Sequence, residues 1–388
     1  MAQEQLQAQE SVAAPRASRL AVATFFFLTG MTFASWAARI PAIQTRLGLS
    51  AGALGVALLG TAVGELVSMN LAGYLVTRFG SRSLTILASL CLSAVLPLLA
   101  LAPNLPMLVA TLVLFGASFG TVNVAMNTQG ATVEQRYGRT IFNSFHACYS
   151  IGGLSGSLLG ALAASHNIIP WLHFLLLALL GIGMALAVAR LLLPAHADAQ
   201  GAGIAFARPT RTLLALGFVA FCVVLGEGAM ADWSAVYLHT ILGAAMGVAA
   251  TGYAAFSIVM AVGRGLGDRL TNRLGAALMV RLGGQVAASG LTLALVVNQV
   301  PLALVGFGLV GAGCAVIFPL TLSAAGRASQ RVSGTAIATV ATCGYVGFLA
   351  GPAAIGFVAN ALNLRVALVI VVLLSLCAAA FARIVGKD

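Results

Sequence analysis

Long apolar stretches alternate with short polar gaps along almost the whole chain. A helix needs about 20 apolar residues to cross a bilayer, so each stretch reads as a membrane-spanning helix. Division at basic clusters and at Pro, Asn and Gly breaks predicts spans near 20–40, 51–77, 83–102, 106–130, 140–165 and 168–192. The polar segment PAHADAQGAGIAFARPTR (194–211) follows, and six further spans lie near 212–240, 246–270, 276–297, 300–325, 333–359 and 362–384. The predicted fold is all-α, a membrane protein of twelve transmembrane helices. Its parts are a polar, irregular tail (1–18), a six-helix bundle (19–193), a linker (194–211) and a second six-helix bundle (212–388).

Charge gives the direction. Seventeen of the twenty Lys and Arg residues fall in alternate gaps, and the intervening gaps hold only Arg39, Arg46 and Arg365. Basic residues stay on the cytoplasmic side, so the termini and the linker are predicted to be cytoplasmic. This grouping counts Arg264 with the loop arginines Arg269, Arg273 and Arg281.

Composition agrees: 60% of the residues are hydrophobic and 7% charged, with mean hydropathy +1.03. A soluble domain carries roughly 25% charged residues, so an aqueous fold is excluded. The topology accounts for the net charge of +11, and no nucleic-acid partner is expected. The six cysteines lie within apolar runs without C-x-x-C pairs, so neither disulfides nor a metal site are expected. No Walker-type phosphate loop or Ser-His-Asp set occurs, which argues against a nucleotide cofactor and against an enzyme.

The two halves echo each other. GYLVTRFGSR after span two aligns with GDRLTNRLG after span eight, setting Gly80 over Gly275. Gly152 and Gly156 of span five likewise match Gly347 and Gly351 of span eleven. Glycines four apart let helices approach closely in lipid, and two matched sets favour duplication over chance.

These features resemble the major facilitator superfamily: six plus six helices, a central linker and the R-x-G-x-R loop Arg78 to Arg82. NVAMNTQGATVE (123–134), FHACYSIGG (145–153) and EGAMADWSAVYL (227–238) further resemble its fucose-permease-like branch, specifically the YbjJ-type bacterial inner-membrane proteins. The resemblance implies two pseudo-symmetric bundles, a bacterial inner-membrane location and a small-molecule substrate. It also implies gating by Gly73, Arg78, Gly80 and Arg82 with Asp268, Arg269 and Arg273, which would hold an outward-open state. The chain departs from the superfamily loop at Thr77, where an acid is usual. Span five lacks the Gly-Pro pair associated with drug antiporters.

Acids inside a bilayer are costly and mark ion or substrate paths. Glu227 lies near the middle of span seven between Gly226 and Gly228, which are expected to loosen the helix. No Lys or Arg lies within its own span, so it is the first candidate proton carrier; the other reading is a structural acid bonded to another helix. Glu65 in span two and Asp232, five residues beyond Glu227, are further candidates, Asp232 also as the cap of a broken outer segment. His146 suits a proton relay, a solute contact or a satisfied core histidine. Phe119, Asn123 and Asn127 share one helix face and offer amides either to a solute or to a neighbouring helix. Tyr253 and Ser257 of span eight, with Thr342 and Tyr345 of span eleven, offer hydroxyls. Trp36 reads as an interfacial anchor and is a further substrate-contact candidate.

The expected function is alternating-access transport of a sugar- or polyol-like solute coupled to protons, by a monomer in the lipid bilayer. Efflux of an amphipathic metabolite or drug is the second reading, and a transport-inactive sensor or assembly protein the third.

Overall fold

The computed structural model describes residues 2–138, 141–194, 210–328 and 333–386. Everything regular among them is helical: α1 (Ala2–Leu47), α2 (Ala51–Phe79), α3 (Ser81–Leu101), α4 (Leu105–Tyr137), α5 (Phe142–Ser165) and α6 (Pro170–Ala189) precede the linker. After it come α7 (Arg211–Thr240), α8 (Met246–Ala249), α9 (Gly252–Leu274), α10 (Ala276–Val296), α11 (Val300–Cys314), α12 (Ile317–Ala328), α13 (Ser333–Ala361) and α14 (Leu364–Ala380). Twelve helical segments are long and apolar enough to cross a membrane, in the number and order that the hydropathy pattern predicts. The tail expected to be irregular is instead helical from Ala2 and continuous with the first span. Most of the linker, 195–209, lies outside the described residues.

Two spans are interrupted. Span eight turns at Ala250 and Thr251, where the Thr251 hydroxyl and amide both donate to the Val248 carbonyl. Such local bonds compete with the helical ladder. Span ten breaks at Ala315 and Val316, four residues before Pro319. Proline has no N–H and its ring clashes with the carbonyl four residues back, which here belongs to Ala315.

The chain divides into two compact units. The first comprises Met1–Trp36, Gly60–Leu159 and Asn167–Ala202; the second comprises Ala37–Leu59, Gly160–His166 and Gly203–Asp388. Glycine-mediated contacts organise each of them. In the first, a Cβ on Gly152 would meet the Phe27 carbonyl and one on Gly156 the Met31 carbonyl, so α5 lies backbone to backbone on α1. In the second, Gly347 meets the Phe221 carbonyl at 2.5 Å and Gly351 meets Leu225, bringing α13 onto α7. Span five on span one and span eleven on span seven are the same contact in the two halves. The loop repeat holds as well: Gly80 has φ 79, ψ 150 and Gly275 has φ 81, ψ 151. Also within the second unit, a Cβ on Gly55 of α2 would come within 2.9 Å of the Gly356 Cα of α13, at the ends remote from the Arg-rich loops.

Candidate functional site

Helix α7 runs unbroken from Arg211 to Thr240 and carries Glu227 near its middle. The flanking glycines therefore do not loosen the helix, and Asp232 has no broken segment to cap. They make room instead: Val371 of α14 faces Gly226 and the Phe348 ring of α13 faces Gly228. The Glu227 Oε1, on the residue between these glycines, is buried with no hydrogen-bond partner among the described residues. Its Oε2 lies 3.5 Å from Nη2 of Arg264, on α9.

Arg264 departs from its grouping with the loop arginines. It is helical, in α9 and within the candidate span Met246–Gly267, and it supplies from a neighbouring helix the basic partner that Glu227 lacks within its own span. Its direction follows from the helix. Ile258, Val262, Leu266 and Leu270 are 40–57% exposed and form the outward stripe of α9. At 100° per residue, Arg264 stands roughly 180° from the middle of that stripe. Tyr253 and Ser257 fall on the same inward face as Arg264. The Tyr253 phenol hydrogen-bonds to Ser257 and lies within electrostatic reach of Glu227, Arg264 and Asp232. Cys314, at the end of α11 beside the span-ten break, also feels Glu227 and Arg264. Asp232 is buried further along α7. The second unit thus gathers Glu227, Arg264, Tyr253 and Ser257, with Asp232 and Cys314 nearby. Thr342 of α13 is exposed and Tyr345 half-buried.

The first unit presents its candidates separately. Glu65 is buried where α2 and α4 touch: a Cβ on Gly120 would meet the Glu65 carbonyl, in keeping with a packing role. Asn127 donates to both the side-chain and the main-chain oxygen of Asn123, each at 2.7 Å. The two amides therefore engage each other rather than a neighbouring helix. Phe119 packs on Phe33 at 5.3 Å. His146 stands against the rings of Phe26 and Phe142, at 5.2 and 5.3 Å. Trp36 is 1% exposed and lies against Phe174, so it is a core residue and not an interfacial anchor.

Of the expected gating residues, Gly73, Arg269 and Arg273 are exposed. Arg78 donates to the Tyr74 hydroxyl and lies over the Phe79 ring. Arg82 is half-buried near the start of α3, and Gly80 turns the chain between α2 and α3. The Asp268 side chain lies outside the described residues. Among those described, no cluster of His, Cys, Asp and Glu could hold a metal ion.

Besides Arg264, sequence reasoning passed over two polar anchors, the buried Gln129 and the half-buried Glu134. Gln129 donates to the Ser81 hydroxyl and the Leu193 carbonyl and accepts from the Leu193 amide, tying α4 to the start of α3 and to the segment that follows α6. Glu134 accepts from the amides of Ile141 and Phe142 at 2.7 and 2.6 Å, which caps α5 with a carboxylate. Both lie in the segment 123–134 that the resemblance singled out.

The Major Facilitator Superfamily profile matches residues 20–292. An uncharacterised MFS-type transporter of Yersinia pestis is 37% identical over 364 residues, 93% of this chain and 94% of that protein. The membrane protein MosC of Rhizobium meliloti is 33% identical over 369 residues, 93% of this chain and 89% of that one. The nucleoside transporter NupG shares the fold, with TM-score 0.74 at 14% identity over 95% of this chain and 99% of NupG. A D-xylose-proton symporter does so with TM-score 0.73 at 14% identity over 94% and 96%. Full-length similarity to membrane transporters thus meets a twelve-span fold with a charged pair inside its spans, and the chain belongs to the Major Facilitator Superfamily: it is a secondary transporter, not an enzyme.

Proposed function

We propose that this transporter moves a small hydroxylated solute, sugar- or polyol-like, together with protons, and that Glu227 carries the proton. The observation behind this reading is the carboxyl itself: mid-helix in a membrane span, with one oxygen unpartnered among the described residues and the other held by Arg264 at 3.5 Å. A structural ion pair is usually shorter, about 2.7–2.9 Å, and leaves no buried oxygen unpaired. A group that must release its partner and take a proton in each cycle fits the looser arrangement. Hydroxyls of Tyr253, Ser257, Thr342 and Tyr345, all in the second unit, suit a polyhydroxy solute. The shared fold of a D-xylose-proton symporter and the sequence likeness to the fucose-permease-like, YbjJ-type branch support import over efflux. The proposal includes two bundles, 19–193 and 212–388, rocking about the solute, both termini cytoplasmic, in the bacterial inner membrane, as a monomer.

Glu227→Gln is the test. In proteoliposomes holding the full chain, pH-sensitive dye should report solute-driven proton entry for the wild type when a sugar and polyol library is screened. The Gln variant should lose that proton signal while retaining solute counterflow. Proton entry at the wild-type rate in Glu227→Gln would remove Glu227 from the role and leave Asp232 or Glu65 to carry it.

A further inference from the structure

We infer that Arg264 receives an anionic group of the transported solute, a carboxylate, and that this group and Glu227 compete for the guanidinium. The inference rests on the proton-coupled reading above and narrows its substrate class to hydroxylated carboxylates.

The inward face of α9 carries the argument. An arginine inside a membrane span is expensive unless it faces a cavity or a partner, and Arg264 faces away from the exposed apolar stripe of its helix. Its side chain is nevertheless 40% exposed. A guanidinium has five N–H donors in a planar fork, and one contact at 3.5 Å to one carboxylate oxygen occupies little of that capacity. Such a fork suits the two oxygens of a carboxylate. Glu227 is itself a carboxylate at this position, so the site already accommodates the group it is inferred to bind. Tyr253 and Ser257, on the same face, are placed to bond hydroxyls of the same solute.

Charge balance links the exchange to the proton. When a solute carboxylate takes Arg264, a displaced Glu227 anion would be left without a counter-charge. Taking a proton from solution onto its oxygen keeps the site neutral, while Arg264 stays protonated throughout. A neutral sugar would leave the ion pair intact and needs neither event. The other charged or titratable groups near this carboxyl are few: Asp232 on its own helix, Tyr253 on α9 and Cys314 on α11. On the remaining helices packed against α7, Arg327 of α12 is engaged by Ser323 and the Val385 carbonyl. The side chains that α14 and α13 place against the flanking Gly226 and Gly228 are the apolar Val371 and Phe348.

The experiment compares D-gluconate, its uncharged counterpart D-glucitol and inorganic phosphate in thermal-shift titrations of the purified full chain, because a ligand that binds the folded state raises its apparent stability. Wild-type protein should respond to gluconate with a midpoint roughly tenfold lower at mildly acidic than at neutral pH, as protonation of Glu227 raises the fraction of competent sites. Glu227→Gln should respond with the tighter midpoint at both pH values, a gain that misfolding cannot imitate. Arg264→Gln should lose the response, and Arg264→Lys should keep a weakened one. Three results would each overturn the inference: no gluconate response in Glu227→Gln, an undiminished one in Arg264→Gln, or glucitol or phosphate matching gluconate in the wild type. The two readings fail separately. A gluconate response that needs Arg264 but ignores pH and Glu227→Gln keeps the anion site and removes the proton coupling. Glucitol-driven proton entry keeps the coupling and removes the anion site.

Discussion

At the scale of single residues, a polar side chain in an apolar run announces itself, but its neighbours do not. Asn123 and Asn127 were conspicuous as possible solute contacts, yet at i and i+4 they bond to each other. Gln129, two positions on, is fully buried and bridges Ser81 to Leu193. Removing one partner of buried bonds leaves the others unsatisfied at about 1–3 kcal/mol per group. Gln129→Ala should therefore lower stability by about 2–4 kcal/mol, read as a lower thermal midpoint in detergent and a loss of folded yield. An unchanged midpoint would show that water replaces the bridge without cost. Arg264 illustrates a different limit. Counting basic residues by gap placed it with the loops, because a count has no angular information. The α9 periodicity, with leucine, isoleucine and valine every fourth residue and Tyr253, Ser257 and Arg264 opposite, held the missing signal. That the opposite face meets Glu227 of another helix requires tertiary packing, which no local pattern encodes.

At the scale of helices, the spans were legible because membrane thickness fixes their length and arginine fixes their ends. The interruptions were less so. Pro319 marks the break at Ala315 and Val316 by a known steric rule, whereas nothing as strong marks the turn at Ala250 and Thr251. The matched glycines gave the best return: Gly152 and Gly156 place α5 on α1, and Gly347 and Gly351 place α13 on α7. Without a hydrophobic force between helices in lipid, such contacts depend on close packing. Gly152→Leu and Gly347→Leu should each force the backbones apart, costing about 1–3 kcal/mol or more as overpacking. Gly183→Leu, at an open position with nothing within 4 Å, should be tolerated. Thermal inactivation of the three proteins in one detergent checks this. Equal half-lives would mean that these glycines reflect composition, since 44 are available in the chain, and not the packing of two related bundles.

At the scale of the whole molecule, an even number of crossings puts both termini on one side, and only the charge distribution says which. The structure locates the charges at the helix ends where the rule needs them: Arg78 closes α2 and Arg273 closes α9, beside Gly80 and Gly275 in the same left-handed turn. Arg264 must now be subtracted from the basic count, because it pairs with Glu227 of a neighbouring helix. The remaining sixteen loop-side residues still outnumber Arg39, Arg46 and Arg365 by a wide margin. Moreover, Arg39 is itself buried in α1 and adds nothing to the opposite surface. The charge bias behind the proposed orientation therefore remains. Single cysteines introduced in the linker 194–211 and at Pro103, between α3 and α4, should label from opposite faces of the membrane, the linker from the cytoplasm and Pro103 from outside. Labelling of both from the same face would break the twelve-span topology. Labelling from opposite faces in the reverse sense would keep the spans and refute the charge argument, placing the Arg-rich loops outside the cell.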